Sequence, residues 1–281
     1  MSKVSIIMPC FNDGEYIQES IESVLNQTYK NIELIIINDG STDEKTINIL
    51  NSISNPLIEV LNTTNIGPAG ARNFGIENAK GKYILPLDAD DLIDSTYIEK
   101  CINEMESNNK VGIVYCYANL FGEKSGRWDL PDYSFQSMLL DNIIFVTAMF
   151  KKEDWEEVGG YNTSLIHGME DYDFWLSILE LERDVVQIKD ILFHYRIKTT
   201  SRTTNFMKDI NIVKDTYRNL YLNHPKLFNR NKDDYAIILR NALIEQIYLN
   251  KKITSFSPFL NKLKNIRFVK KIVFKILLRK G

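Results

Sequence analysis

Cysteine is scarce in this chain of 281 residues. Cys10, Cys101 and Cys116 are odd in number and lie far apart, inside apolar runs. That pattern excludes a disulfide frame and a zinc site, and reads as reduced core thiols of a cytosolic protein. A run of about 18 apolar residues, the length needed to span a bilayer, is also missing. The segment VSIIMPCFN has only Lys3 before it and no small-residue cleavage site, so it reads as a strand and not a signal peptide. There is no internal repeat and no low-complexity segment. A glycine-rich phosphate loop with its lysine is absent near the N-terminus, which weakens the case for a nucleotidylyltransferase.

Acid is missing from one end. From Lys251 to Gly281 there are ten Lys/Arg and no Asp or Glu, so the net charge of −3 conceals a body of about −13. The basic end suits an anionic partner, while the acidic body argues against nucleic acid as the main ligand. Ser257-Pro258 reads as an N-cap and first-turn proline. After it, Phe259, Leu263, Ile266, Val269, Val273, Ile276 and Leu277 form an apolar stripe beside a basic one. Residues 257–281 therefore read as a peripheral anchor on anionic membrane, with a helix packed on the protein as the alternative.

What is present, up to about residue 117, is alternation. Val4–Met8 is a β-branched strand, and Glu15–Asn26 is a helix with Ile17, Ile21, Val24 and Leu25 on one face. Ile32–Ile37, Leu57–Leu61, Tyr83–Leu87 and Gly112–Tyr117 follow as strands with helical segments between them. Short loops and this alternation predict an α/β fold whose sheet is mostly parallel and covered on both faces. Beyond it, 118–133 reads as a loop, Ile144–Phe150 as a strand and Asp171–Leu181 as a helix. Val185–Ile188 and Ile191–Ile197 read as a strand pair, and roughly 206–222, 233–250 and 258–279 as helices.

In an open α/β sheet, ligands bind outside the carboxyl ends of the strands. The first strand ends in Pro9-Cys10-Phe11-Asn12, the second in Asn38-Asp39-Gly40-Ser41, the fourth in Asp88-Ala89-Asp90-Asp91. Carboxylates spaced as closely as Asp88, Asp90 and Asp91 repel unless a cation sits among them. Either Asp91 or Asp94 caps a helix and the others are solvated, or Asp88 and Asp90 hold Mg²⁺ or Mn²⁺ with phosphate oxygens and water. Glu170-Asp171 opens an apolar helix after a loop carrying Gly159, Gly160 and Gly168. Asp171 there is an N-cap or a working carboxylate. The strand FHYRIK puts His194, Arg196 and Lys198 on one face, suited to a diphosphate leaving group or merely solvated.

The stretches VSIIMPCFNDGEYIQESIESVLNQTY, ELIIINDGSTD, NIGPAGARNFGIENAKGKYILPLDADD and GMEDYDFWLSI occur in that order. Together, over roughly residues 2–200, they resemble a family 2 glycosyltransferase of the GT-A fold. The resemblance implies a mixed, mostly parallel sheet and an inverting, metal-dependent transfer of sugar from a UDP-sugar to a hydroxyl of a glycan or lipid-linked glycan. The setting it implies is cell-surface polysaccharide synthesis on the cytoplasmic face of a membrane. It implies a nucleotide-sugar half, 1–117, and an acceptor and catalytic half, 118–204, and the helical pattern beyond adds an extension, 205–281. By the same resemblance Pro9 and Phe11 line the base pocket, Asp39 meets the uracil N–H, and Arg72 lies by the base or diphosphate. Asp88 contacts the ribose, Asp90 the metal, and Asp171 is the general base beside Glu170; Arg196, from the cationic strand face, is the further candidate for the nucleotide sugar. Many relatives carry histidine where this chain has Lys198, so either His194 or water completes the metal shell. A catalytically inactive nucleotide-sugar-binding scaffold is the alternative, opposed by retention of both acidic motifs.

Overall fold

The computed structural model describes residues 1–199, 202 and 206–263, with side chains to 249. Strand β1 (Val4–Cys10) pairs in parallel with β2 (Ile32–Asp39), and β2 with β3 (Ile58–Thr63). Helices α1 (Ile17–Leu25), α2 (Glu44–Ser52) and α3 (Gly67–Asn78) make the crossovers, and β4 (Tyr83–Pro86) returns to the other side of β1. The order β3-β2-β1-β4 thus reverses between β1 and β4, which opens a crevice at their carboxyl ends. Ile6, Ile7, Met8, Ile35, Ile36, Ile37, Ile84 and Leu85 are all buried because helices cover both faces.

The sheet continues as β8-β6-β9-β5. After the two-residue β5 (Leu92–Ile93) come α4 (Tyr97–Ser107), β6 (Val111–Gly122), β7 (Gly126–Arg127) and α5 (Phe135–Leu140). Then follow β8 (Met149–Lys151), α6 (Lys152–Val158), α7 (Glu170–Glu180) and β9 (Asp184–Ile197). Here β8 is antiparallel to both β4 and β6, while β6 and β9 run parallel. The mixed α/β fold expected from the sequence is therefore present.

Three expectations need correction. Residues 118–122 are not loop: they extend β6 against Phe193–Ile197 of β9 and turn into β7. The expected strand pair at 185–197 is one strand, because the register jumps from Cys116–Ile188 to Tyr117–Ile191 and Lys189-Asp190 bulge out. Of the expected 144–150 strand only Met149 and Phe150 are extended, as the start of β8 (Met149–Lys151). Before it, buried side chains satisfy the backbone instead: Trp175 Nε1 donates to the Ile144 carbonyl at 3.1 Å and Tyr97 Oη to that of Thr147 at 2.7 Å.

The chain forms two compact units, Met1–Arg230 and Asn231 onward. Helices α8 (Ile210–Asn223) and α9 (Pro225–Arg230), grouped by pattern with the extension, belong to the first. Leu220, Leu227 and Phe228 of these helices are buried, and the Asp173 carboxylate of α7 accepts from Asn223 at 2.9 Å and lies 3.2 Å from His224 Nε2. Helix α10 (Lys232–Leu263) runs through Ser257-Pro258, so no new helix starts there. The rest of the expected basic tail, 264–281, lies outside the described residues. Among the described residues no helix is long and apolar enough to cross a membrane.

Gly75 lets α3 lie against the sheet, since a Cβ there would come within 2.6 Å of Ile37 Cδ1 and 2.7 Å of Ile7 Cγ2. Gly75→Val should lower stability by about 1–3 kcal/mol through overpacking. A urea midpoint unchanged by the substitution would show that α3 is not seated on β1 and β2 in this way.

Candidate active site

The loops after β1, β2 and β3 are laced together at the crevice. Asn12, at φ 59°, adopts the left-handed region that asparagine tolerates. Its Oδ1 accepts from the amides of Thr42 at 2.8 Å and Asp43 at 2.9 Å. Cys10 pairs with Asn38, so the next residues, Phe11 and Asp39, end adjacent strands. Phe11 is 44% exposed, unusual for a phenyl ring and free to stack on a planar ligand. Pro9 lies two residues earlier, within β1, half-buried. Asp39 is buried, and its Oδ1 accepts from Thr63 Oγ1 and the Ile66 amide, each at 2.7 Å. Among the described residues nothing donates to its second oxygen, which stays available as an acceptor.

The turn after β4 is pinned from two sides. The buried Ser20 hydroxyl of α1 lies 2.9 Å and 2.8 Å from the carbonyls of Ala89 and Asp91. Asp91 is itself buried, and its Oδ1 accepts the Arg196 amide at 2.8 Å. Burial, with Asp90 and Asp88 nearby, pushes its pKa well up. Asp91 is thus a structural tie between this turn and β9, not a helix cap.

Arg72 is buried at 3% side-chain exposure, and donates to Asp88 Oδ1 at 2.7 Å and Glu170 Oε1 at 3.0 Å. Burial opposes its charge, but the two carboxylates outweigh that and hold its pKa above the ordinary range. Glu170 also receives Arg202 at 2.9 Å, and the two guanidinium groups overcome burial to keep it ionised. Next to it, Asp171 accepts from Asn142 Nδ2 at 2.9 Å and the Tyr172 amide at 2.8 Å. Its pKa is pushed up to about 6, first by burial and then by the Glu170 carboxylate. The cap position of α7 belongs to Met169, at φ 70°, so Asp171 is not an N-cap. A non-glycine residue in that region, after Gly168 at φ 134°, aims the acidic pair with a strained turn.

The face of His194, Arg196 and Lys198 splits three ways. His194 lies against Asp94, 3.9 Å from its carboxylate. It is not gathered with Asp88 and Asp90, because its strand position pairs with Leu92 beyond the turn. Arg196 donates to the Asp90 carbonyl at 2.7 Å and to Glu19 at 2.7 Å, with the Tyr16 and Phe121 rings 4.6 Å and 4.3 Å away. Lys198 reaches Asp90 Oδ2 at 2.6 Å and Asp13 Oδ1 at 3.1 Å. Burial and then Asp88 raise the pKa of Asp90, opposed by this ammonium.

A Mg²⁺ or Mn²⁺ centre was expected on Asp88 and Asp90, with His194 or water completing its shell. Among the described residues no group of three His, Cys, Asp or Glu is placed to hold a metal ion. Both aspartates already carry nitrogen cations, Arg72 and Lys198. The residues as arranged do not fit that centre. Sequence reasoning also missed Asp13, Asn142, Arg202 and Ser20. Asp13 stands one residue past the strand-end cluster that drew attention, and Asn142 lies where no periodicity marks a site.

A β3-β2-β1-β4 sheet extended by an antiparallel β8, with acidic groups on its carboxyl rim, is a GT-A-like fold. The chain belongs to glycosyl transferase family 2, whose family model matches residues 5–162. It is 34% identical over 218 residues to the Escherichia coli UDP-Glc:alpha-D-GlcNAc-diphosphoundecaprenol beta-1,3-glucosyltransferase WfaP, covering 75% of this chain and 83% of that one. It is 28% identical over 277 residues to chondroitin synthase of Pasteurella multocida strain Pm70. That match covers 95% of this chain but only 28% of the synthase. Among solved structures, S. aureus TarS 1-349 in complex with UDP-GlcNAc matches with a TM-score of 0.62 at 18% identity. The match covers 72% of this chain and 60% of TarS 1-349, and concerns the fold.

The raised pKa of Asp171 has a consequence for stability. Its carboxyl holds a proton more tightly in the folded chain, about 6 against an ordinary 3.8. Its contribution is therefore largest below that ordinary value and is lost as pH rises towards about 6. Asp171→Asn should raise the urea midpoint at pH ~8 and have little effect at pH ~4. A midpoint that falls at the higher pH would mean that the carboxylate itself stabilises the fold.

Proposed function

We propose that this chain transfers a sugar, with inversion, from a UDP-sugar to a hydroxyl of a glycan or lipid-linked glycan. The observation that carries the reading is the chain of contacts Asp88–Arg72–Glu170, which joins the strand-end rim to the carboxylate pair on α7. Phe11 stacks on uracil, Pro9 lines the base pocket, and the second oxygen of Asp39 accepts the uracil N–H. Asp88 meets the ribose and Asp90 the diphosphate side of the donor. Arg72 and Arg196 act from behind: the first positions Asp88 and Glu170, the second holds the turn. Asp171, oriented by Asn142, takes the proton of the acceptor hydroxyl. The acceptor oxygen bonds to the anomeric carbon from one face as the carbon–oxygen bond to the diphosphate breaks on the other. UDP leaves with that electron pair, so the configuration inverts.

The relative WfaP, by its name, uses UDP-Glc and a diphosphoundecaprenol-linked GlcNAc. The chondroitin synthase is named for a polysaccharide. The first name supports UDP as the nucleotide, and both support a growing glycan as acceptor. The site of action in this reading is the cytoplasmic face of a membrane, reached through the eight Lys/Arg of residues 257–281. The expected divalent metal carries no step of it.

Three measurements on purified protein test the reading. UDP binding by calorimetry should weaken at least about tenfold in Asp39→Ala, roughly 1.4 kcal/mol. Asp171→Asn should bind UDP normally while turnover with a panel of UDP-sugars and glycan acceptors falls about 10²–10⁴-fold. Wild-type turnover should fall as pH drops through about 6, where Asp171 takes up its proton. Near-normal turnover in Asp171→Asn would place the base elsewhere.

A further inference from the structure

The cation among the aspartates is part of the polypeptide. Lys198 follows the end of β9, and its Nζ bridges Asp90 Oδ2 at 2.6 Å and Asp13 Oδ1 at 3.1 Å. Those acids come from the turn after β4 and the loop after β1, the two edges of the crevice. The bridge is built in, not a chance surface pair. Arg196, two residues earlier, is fixed by its amide to Asp91 and its Nε to the Asp90 carbonyl. The three side chains are only 16–29% exposed.

An ammonium has three donors, and the two aspartates use two of them. Among the described residues no third oxygen partner meets the ammonium, whose Nζ lies 5.4 Å from the Tyr16 ring, so a third N–H is left for a phosphate oxygen. A divalent ion brought to Asp90 would have to share that carboxylate with a fixed positive charge, and like charges at such range repel. Asp88, the other carboxylate of the expected pair, already has one oxygen on Arg72.

We propose that Lys198 supplies the positive charge that meets the donor diphosphate at Asp90, so that nucleotide binding by this chain does not depend on a divalent metal. The inference rests on the nucleotide-sugar reading above and specifies how that site receives its anion. Asp13 and Asp90 hold the ammonium in place before the donor arrives. The diphosphate then takes up the remaining donor and shares the charge. In this arrangement Lys198 is a binding residue, and Asp13 a positioning one.

The test is calorimetric titration of UDP into the intact chain, once in EDTA and once in Mn²⁺, for wild type, Lys198→Ala, Lys198→Arg and Lys198→His. Wild type should bind UDP in EDTA, with an affinity that Mn²⁺ changes less than about threefold. Lys198→Ala should lose at least about tenfold in EDTA, and Lys198→Arg, which keeps the charge, should retain most of the affinity. Lys198→His, a neutral potential ligand beside Asp90, should make UDP binding respond to Mn²⁺. Thermal melts of each variant separate lost binding from lost fold, and Lys198→Arg carries the test if Lys198→Ala does not fold. Wild-type binding that disappears in EDTA and returns with Mn²⁺ overturns the inference and leaves the nucleotide reading intact. So does a folded Lys198→Ala with wild-type affinity in EDTA. Failure of the wild type to bind UDP in either condition overturns the nucleotide reading, and this inference with it.

Discussion

The guanidinium of Arg72 lies buried between Asp88, just past β4, and Glu170, at the first turn of α7. A buried charge is tolerated only when paired, and removing one partner of such a group typically costs about 3–5 kcal/mol. The two acids are 82 residues apart in sequence, yet one planar fork fixes both. Everything else in the candidate site is arranged around that fork. Gly75 lets its helix down onto the sheet, and Ser20 and Asp91 hold the turn that carries Asp88.

The fork also divides the labour of two neighbouring carboxyls. Glu170 receives Arg72 and Arg202, and remains ionised although buried. Asp171, one residue on, is left with an amide side chain and a backbone N–H, and feels the Glu170 charge. Its pKa of about 6 gives it enough basicity to accept a proton near neutrality. The same repulsion costs stability, a trade common where burial and like charges are used to tune a group. At the other end, Asp90 and Asp13 share the ammonium of Lys198, a cation of the chain itself.

Most of the first half was legible because its pattern is redundant. Strands such as ELIIIND are apolar without a break, helices repeat every three or four residues, and the strand ends carry their acids together. The second half was harder, for identifiable reasons. Lys189-Asp190 resembles a turn, but a bulge carries the strand across it. Ile143 to Ala148 is apolar like a strand, while Trp175 and Tyr97 cap its carbonyls from outside the sheet. Period two put His194 with Lys198 on one face, but not which acid each would meet; that depends on the pairing of β9 with β5. Asp13 and Asn142 become visible only when distant loops are brought together.

The central claim is that Arg72 couples the donor rim to the base-bearing helix, and a double-mutant cycle measures that coupling. Asp88→Asn and Glu170→Gln remove the two partners separately, and the readout is UDP affinity by calorimetry in wild type, both single variants and the double. Coupling through the shared guanidinium predicts non-additive losses, with an interaction energy of at least about 0.5 kcal/mol. Strictly additive losses would contradict it, and would mean that the two acids act on the site independently.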